Sequence, residues 1–355
     1  MTKPLDYEVA IVGGGPAGLA AGIGFARRGF ATVILEKNKW PIDKACGEGL
    51  MPAGVAELDR LGVLHHLDRQ HTHPFKGVEL ISKRGTRMPV PFKKGAGLGI
   101  RRTALSQALF AVASQEPNLT CLPVSKVIEM VQTDGHVSIS TGKAQIRSRF
   151  LVGADGLRSQ VRKLVAKEIP TNVRRYGATQ HFEVAPWSEF VEVYFSDGIE
   201  AYVTPCGGGQ VGVAFLWHYD RFSPAHGKTG LISQCLSHFQ YLKQRLANCR
   251  PIDETQTIGP MRRKVRASPL KQIALVGDAA GYHDAITGEG VSLSLLEAQA
   301  LVERYPHALT SYHKAQRQLK IKANLLTGSA LFLSRRPYLQ DTAFRLLSKF
   351  GLAPF

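Results

Sequence analysis

The sequence predicts an α/β fold: a doubly wound parallel-sheet domain, split in sequence by an antiparallel-sheet domain and followed by helices. Three observations predict it. Glu8 to Val12 (EVAIV) is a short β-branched run that stops at three glycines; helical spacing from Pro16 to Arg28 and a second short strand, Thr32 to Leu35, complete one βαβ unit. The same apolar-strand-then-glycine pattern returns at Arg149 to Val152 and at Ile273 to Val276. Between those two returns, Tyr176 to Trp217 reads as strands divided by the turn signals Ser196-Asp197-Gly198 and Gly207-Gly208-Gly209.

The remaining elements follow in chain order. Ala53 to Leu64 has the spacing of a short helix, Gly77 to Ser82 and Arg87 to Pro91 that of strands in a different sheet, and Thr103 to Ser114 that of a helix. Val124 to Thr133 and His136 to Ser140 form a hairpin around Asp134-Gly135. The strands of the second sheet are expected at Tyr176 to Val184, Phe190 to Phe195, Glu200 to Thr204 and Gln210 to Leu216. Val291 to Glu303 is helical, as is most of the C-terminal segment. With 355 residues the chain is long enough for two cores. Residues 1–75, 96–165 and 260–310 are assigned to the discontinuous first domain, 76–95 and 166–259 to the second, and 311–355 to a helical cap.

Composition narrows the class. Hydrophobic residues make up 44% and charged residues 21%, the balance of a soluble globular protein. No apolar run approaches the length of a membrane span, and Met1 to Glu8 lacks the order of a signal peptide, so a cytoplasmic location is expected. Five scattered cysteines form no Cys-x-x-Cys or Cys/His cluster, and no metal site is expected. The net charge of +17 is spread over Arg158–Arg175, Arg262–Arg266, Lys314–Lys322 and Arg335-Arg336. Its plain reading is a basic, soluble surface. Its functional reading is contact with an anionic membrane periphery or an acidic carrier protein. No nucleic-acid motif accompanies the charge, so no nucleic acid is expected.

The glycines of the first unit spell Gly13-x-Gly15-x-x-Gly18 between strand and helix. Gly13 permits the tight turn, Gly15 lets backbone approach a pyrophosphate, and Gly18 lets helix and strand pack closely. Pro16 and Ala17 open the helix, whose N-terminus favours negative charge. Glu36 ends the second strand, with Lys37 beside it, where a carboxylate can hold the hydroxyls of an adenosine ribose. These residues alone suit any dinucleotide.

Two later motifs narrow the choice. Phe150-Leu-Val-Gly-Ala-Asp155-Gly156-Leu-Arg158-Ser159-Gln-Val161-Arg162 joins an apolar strand, an Asp-Gly turn and a Ser-x-Val-Arg tail, and Ala274-Leu-Val-Gly277-Asp278-Ala279-Ala280 follows it. With these motifs the chain resembles the p-hydroxybenzoate hydroxylase-like superfamily of FAD-dependent oxidoreductases over nearly its whole length. The resemblance implies a Rossmann-like FAD-binding domain, with the inserted antiparallel sheet carrying the substrate. It implies FAD contacts from Asp155 and Gly156, from Asp278 to the ribityl hydroxyls, and from Arg102, which lies three residues before Leu105. It also implies that Gly288, Glu289, Gly290 and Val291 lie against the flavin, where a helix N-terminus steadies negative charge. A transient nicotinamide, NAD(P)H, is implied as reductant, since no second glycine fingerprint is present.

Two details separate branches of the superfamily. Cys46-Gly47-Glu48-Gly49 resembles the geranylgeranyl reductase branch, and Tyr202-Val-Thr204-Pro205 loosely matches its substrate wall. Asp284 and Ala285 stand where phenol hydroxylases of the superfamily usually carry proline. Halogenases share the scaffold, but Trp40, Trp187 and Trp217 are isolated and make no Trp-x-Trp segment. Cys46 is expected near the flavin edge. Cys46, His181, Tyr202 and Asp284 are the candidates for catalysis, each also readable as structural. The expected function is an NAD(P)H-using monooxygenase for a hydrophobic aromatic or polyketide-like substrate. The alternatives are an enzyme reducing carbon–carbon double bonds of a lipid, or a non-catalytic basic flavoprotein that binds membrane or nucleic acid.

Overall fold

In a computed structural model of the chain, which describes residues 4–224, 230–267, 272–307 and 309–349, the run predicted at Glu8 to Val12 lies inside a seven-stranded sheet. Its order is Leu119–Leu122, Thr32–Leu35, Leu5–Val12, Gln145–Gly153, His136–Thr141 and Val127–Thr133. The first four pair in parallel. Gln145–Gly153 changes partner along its length: its first half pairs antiparallel with the hairpin, and its second half pairs in parallel with Ile273–Leu275. The parallel strands are covered on both faces, which is why they read as unbroken apolar runs. Each stops at the same sheet end, and the glycine turns predicted at 13, 153 and 277 therefore converge.

The second sheet has eight strands. Arg250–Pro251, Arg175–Glu183, Gln210–His218, Ile199–Cys206, Val191–Phe195, Gly77–Ile81 and Arg87–Pro91 lie in order, with Gln256–Ile258 beside Arg175–Glu183. The sheet is antiparallel as expected except at one junction, where Val191–Phe195 and Gly77–Ile81 run parallel. Those two strands are separated in sequence by residues 82–190, so no local turn sets their direction. Its central strands alternate between two packed faces. Tyr194, Ala201, Val203, Val213, Phe215 and Trp217 face a cluster with the helices Leu231–Leu236 and Gln240–Leu246. Val193, Phe195, Tyr202, Ala214 and Leu216 face the opposite way, toward Leu333, Phe344 and Leu347.

Those last residues belong to the helices Leu309–Ser334 and Pro337–Lys349, which cap this face of the second sheet. Pro337 separates them, sitting at the first position of a helix where its missing N–H costs nothing. Phe350 and Phe355, part of the same segment in sequence, lie outside the described residues. Among the described residues no helix is long and apolar enough to cross a membrane.

Candidate active site

Gly13 adopts φ 106°, and a Cβ there would sit 2.4 Å from the Ala154 carbonyl oxygen. A Cβ on Gly18 would sit 1.9 Å from the Gly13 carbonyl oxygen. The chain itself explains both glycines. Gly15 is different. Its φ of −76° and ψ of −175° suit any residue, and a Cβ would meet nothing nearer than Arg102 Nη2 at 3.9 Å. The space it leaves open faces the helix Pro16–Arg27, whose first turn has no side-chain cap. Arg102 reaches the same space, and its buried Nε has no partner among the described residues. Free helix N–H groups, a guanidinium and an open hollow together make an anion site with room for a diphosphate.

Glu36 is buried and accepts from Gly14 N at 2.7 Å and from Asn38 N at 2.9 Å. It thereby fastens the glycine turn, and a carboxylate retains further lone pairs for a ribose. Trp40 braces the turn as well: its Nε1 donates to the Gly14 carbonyl, and its ring stacks on Phe110.

The two later motifs are joined by one side chain. Arg162 is buried; it donates from Nη2 to Leu157 O at 2.7 Å and from Nη1 to Ala279 O at 3.0 Å. This bond pattern gives the Ser-x-Val-Arg tail its purpose, because Asp155-Gly156 and Gly277-Asp278 are held at a set distance. Asp155 Oδ2 accepts from Gln160 N at 2.6 Å, while its buried Oδ1 has no partner among the described residues. Gly277 N donates to the buried Glu297 at 2.9 Å, and Asp278 pairs with Lys44 at 3.1 Å.

The strand Ile199–Cys206 holds the loops on the far side. Its alternate residues Glu200, Tyr202, Thr204 and Cys206 all turn polar atoms to one side, Glu200 to the strand Arg175–Glu183 and the cap helix and the other three to loops or to the strand itself, as strand periodicity requires. The Tyr202 hydroxyl donates to the Ile286 carbonyl, and Thr204 Oγ1 donates to Gly47 O at 2.6 Å. Glu200 meets Arg175 at 2.8 Å, and Arg175 grips Asp284 with two bonds of 2.9 and 3.0 Å. Ser334 of the cap donates to the other oxygen of Glu200.

These parts enclose one cavity of about 830 Å³. At one end it is lined by Gly13, Gly15, Pro16, Ala17, Glu36 and Lys37, and farther in by Arg102, Asp155, Gly156, Gly277 and Asp278. Cys46, Gly288, Gly290 and Val291 line the middle. The other end is walled by Val78, Val193, Phe195, Leu216, Met261, Leu333 and Phe344. Of the residues singled out in the sequence, Gly18 lies beneath the turn, and Glu289 precedes the helix Gly290–Arg304 without reaching the wall. His181 and Asp284 stand behind the wall, and Tyr202 and Cys46 are on it. Sequence reading gave no role to Lys44, Glu48, Ser125 or Lys126 of the lining, although Lys44 and Glu48 flank Cys46 in the segment that resembles the reductase branch.

Glu48 has φ 58°, unusual for a residue with a side chain, and its carboxylate accepts from Arg102 N at 2.5 Å. Its other oxygen meets His181 Nε2 at 2.5 Å, and Asp253 meets His181 Nδ1 at 2.5 Å. Burial opposes charge on this imidazole, but the bonds to Asp253 and Glu48 outweigh it and raise the pKa from 6.5 to about 9. Folding is thus favoured by this group below pH 6.5, and the contribution is lost as pH rises through about 9. We expect the melting temperature to fall across that window and His181→Gln to flatten the slope; equal slopes would contradict the assignment. Among the described residues, Glu48, His181 and Cys206 bring three ligand-type atoms within 4.8 Å, a grouping that sequence spacing did not reveal. Burial pushes the Cys46 thiol up and holds the hydroxyls of Tyr202 and Tyr282 far above their usual range, so these groups stay protonated.

Comparison with known proteins identifies the family. A family model described as an FAD binding domain matches residues 6–316. The chain is 29% identical over 322 residues to 6-methylpretetramide 4-monooxygenase of Streptomyces rimosus, covering 82% of this chain and 73% of that one. It is 27% identical over 312 residues to a menaquinone reductase of Mycolicibacterium smegmatis, covering 81% and 73%. The solved structure of p-nitrophenol 4-monooxygenase from Pseudomonas putida superposes with a TM-score of 0.83 at 19% identity, covering 98% of this chain and 94% of that one, and shares the fold.

Proposed function

We propose that this chain, which belongs to the FAD-binding domain family and is an FAD-dependent oxidoreductase, is an NAD(P)H-using monooxygenase for a hydrophobic aromatic or polyketide-like substrate. The observation that carries this reading is the continuity of the cavity, from the hollow at Gly15 to a chamber walled by aliphatic and aromatic side chains. FAD, when bound, supplies the redox chemistry; the chain supplies place and environment. The turn at Gly13 to Gly18 and Arg102 would hold the diphosphate, Glu36 the ribose, and Asp278 the ribityl chain. Gly288 to Val291 would lie along the ring.

The chamber then selects by shape and dispersion. The Tyr202 and Thr204 hydroxyls are already turned to backbone carbonyls, and the polar groups that remain beside them, such as Thr179, Thr257, Tyr282 and Ser329, are neutral hydroxyls, which suits a largely apolar substrate. The cap helices cover one wall of the chamber with Leu333, Phe344 and Leu347, and shielding of that kind favours delivery of oxidising equivalents to substrate in an oxygen-using flavin site. The relative named 6-methylpretetramide 4-monooxygenase supports this class.

A second reading, reduction of a carbon–carbon double bond in a lipid, has an observation in its favour. Cys46, Tyr202 and Tyr282 on the wall are all held protonated, so none is set to ionise a phenol. The relative named menaquinone reductase supports that alternative. The two separate cleanly. Holoprotein with NADH or NADPH is given a panel of phenolic polyketides and isoprenoid quinones, and oxygen uptake is followed with product mass. The proposal predicts oxygen uptake matching NAD(P)H oxidation and a product heavier by one oxygen atom. A product heavier by two hydrogens, formed without oxygen uptake, would overturn it.

A further inference from the structure

The helix Leu309–Ser334 has two working faces. Leu326, Ala330 and Leu333 line the chamber. On the opposite side Lys314, Gln318, Ile321, Leu325, Gly328 and Phe332 are all exposed and recur at intervals of four and three residues, one continuous stripe of an α-helix. The apolar members are bare to an unusual degree: Ile321 is 57%, Leu325 71% and Phe332 50% exposed. Tyr338 and Leu346 are likewise exposed on the next helix, Pro337–Lys349. The stripe plays no part in holding the fold or lining the cavity.

Charge identifies what would cover it. Residues 309–349 carry eight Lys or Arg and one acid, Asp341, which is already taken by Ser82 and Arg84; Lys320 turns inward to Glu297 and Arg335 pairs with Asp220, while Lys314 lies on the stripe. The guanidinium of Arg336 lies 3.8 Å from the centre of the Phe332 ring, which places a cation beside the apolar stripe. A second copy of this helix would set like charges against each other. A zwitterionic surface would leave the cations without partners. An anionic bilayer takes both features: apolar side chains enter the boundary of the acyl layer, and the Lys and Arg groups meet lipid phosphates. The helix is not apolar enough to span, so it would lie in the plane of the interface.

We propose that the outer stripe of Leu309–Ser334 docks the protein on an anionic lipid surface, one helix thickness from the substrate chamber. The test reads partitioning and not turnover, so it stands apart from the reaction class proposed above. Holoprotein is sedimented with vesicles of phosphatidylcholine alone and with vesicles also containing phosphatidylglycerol, at low and high salt, beside Leu325→Glu. The expected result is binding to the phosphatidylglycerol vesicles at low salt, weakened by salt, absent with phosphatidylcholine, and reduced roughly tenfold or more in Leu325→Glu. The variant should keep its flavin absorbance and melting temperature, because Leu325 touches neither core nor cavity. Binding that ignores lipid charge, or that survives Leu325→Glu undiminished, would overturn the proposal. So would a lack of vesicle binding accompanied by a dimer in light scattering that Leu325→Glu splits, since a second copy would then cover the stripe.

Discussion

Arg175→Ala is expected to cost about 3–5 kcal/mol of stability and to strip the protein of flavin. Arg175 and Glu200 are both fully buried, and the Asp284 side chain is 1% exposed. The guanidinium is the shared partner of both carboxylates, with bonds of 2.8 to 3.0 Å. Burial pushes the Glu200 carboxyl up, and Arg175 pulls it down; without the arginine, only the Ser334 hydroxyl is left to offset the penalty. Asp284 also accepts from Ile286 N at 3.1 Å, so the pair sets the start of the loop that reaches Gly288 to Val291. Through Glu200 and Ser334 the same cluster holds the cap. For a chain of this size the loss corresponds to a fall in melting temperature of roughly 5 °C. Arg175→Lys should recover only part of it, because an ammonium cannot make the planar two-bond contact with Asp284. Thermal unfolding and the ratio of flavin to protein absorbance check both effects. An unchanged melting temperature with full flavin would show that the cluster is not structural.

Gly15→Ala and Gly18→Ala are expected to fail in different ways. At Gly18 a methyl group would collide with the Gly13 carbonyl at 1.9 Å, so strand and helix must separate and the apoprotein itself is damaged. At Gly15 the backbone accepts alanine and nothing in the chain is struck. The apoprotein should fold with its melting temperature nearly unchanged, while the methyl group occupies the hollow before the helix. FAD affinity should fall by about 100-fold, roughly 2.7 kcal/mol. Titration of apoprotein by flavin fluorescence, beside thermal unfolding without cofactor, reads the two properties separately. Wild-type affinity in Gly15→Ala would place the diphosphate elsewhere.

The parts of this fold that were readable in advance are those decided by neighbours in sequence. The turn at Gly13 to Gly18 is set by local backbone geometry, and the strands Arg175–Glu183 and Gln210–His218 by alternation and glycine turns. Motif order led to Asp155 and Asp278, although the bridge between them, Arg162, became meaningful only when Leu157 and Ala279 were seen on one guanidinium. Distant pairings were not readable. Asp284 stood as a catalytic candidate also readable as structural; its partner, Arg175, lies 109 residues away, and the pair sits behind the wall. His181 was a lone histidine until Glu48 and Asp253 closed on it from separate loops. The chamber is built by side chains from many elements, each an ordinary apolar residue in its own strand or helix. The parallel contact of Val191–Phe195 with Gly77–Ile81 has no local signal either.

The most direct test of the central claim, that one cavity joins a cofactor cleft to an apolar substrate chamber, is density for FAD in crystals of the holoprotein. The diphosphate is expected on the N–H groups that open Pro16–Arg27, beside Arg102, with the ring along Gly288 to Val291 and one face turned to Tyr202 and Leu216. A ring turned out to solvent, with the chamber closed off from it, would contradict the account.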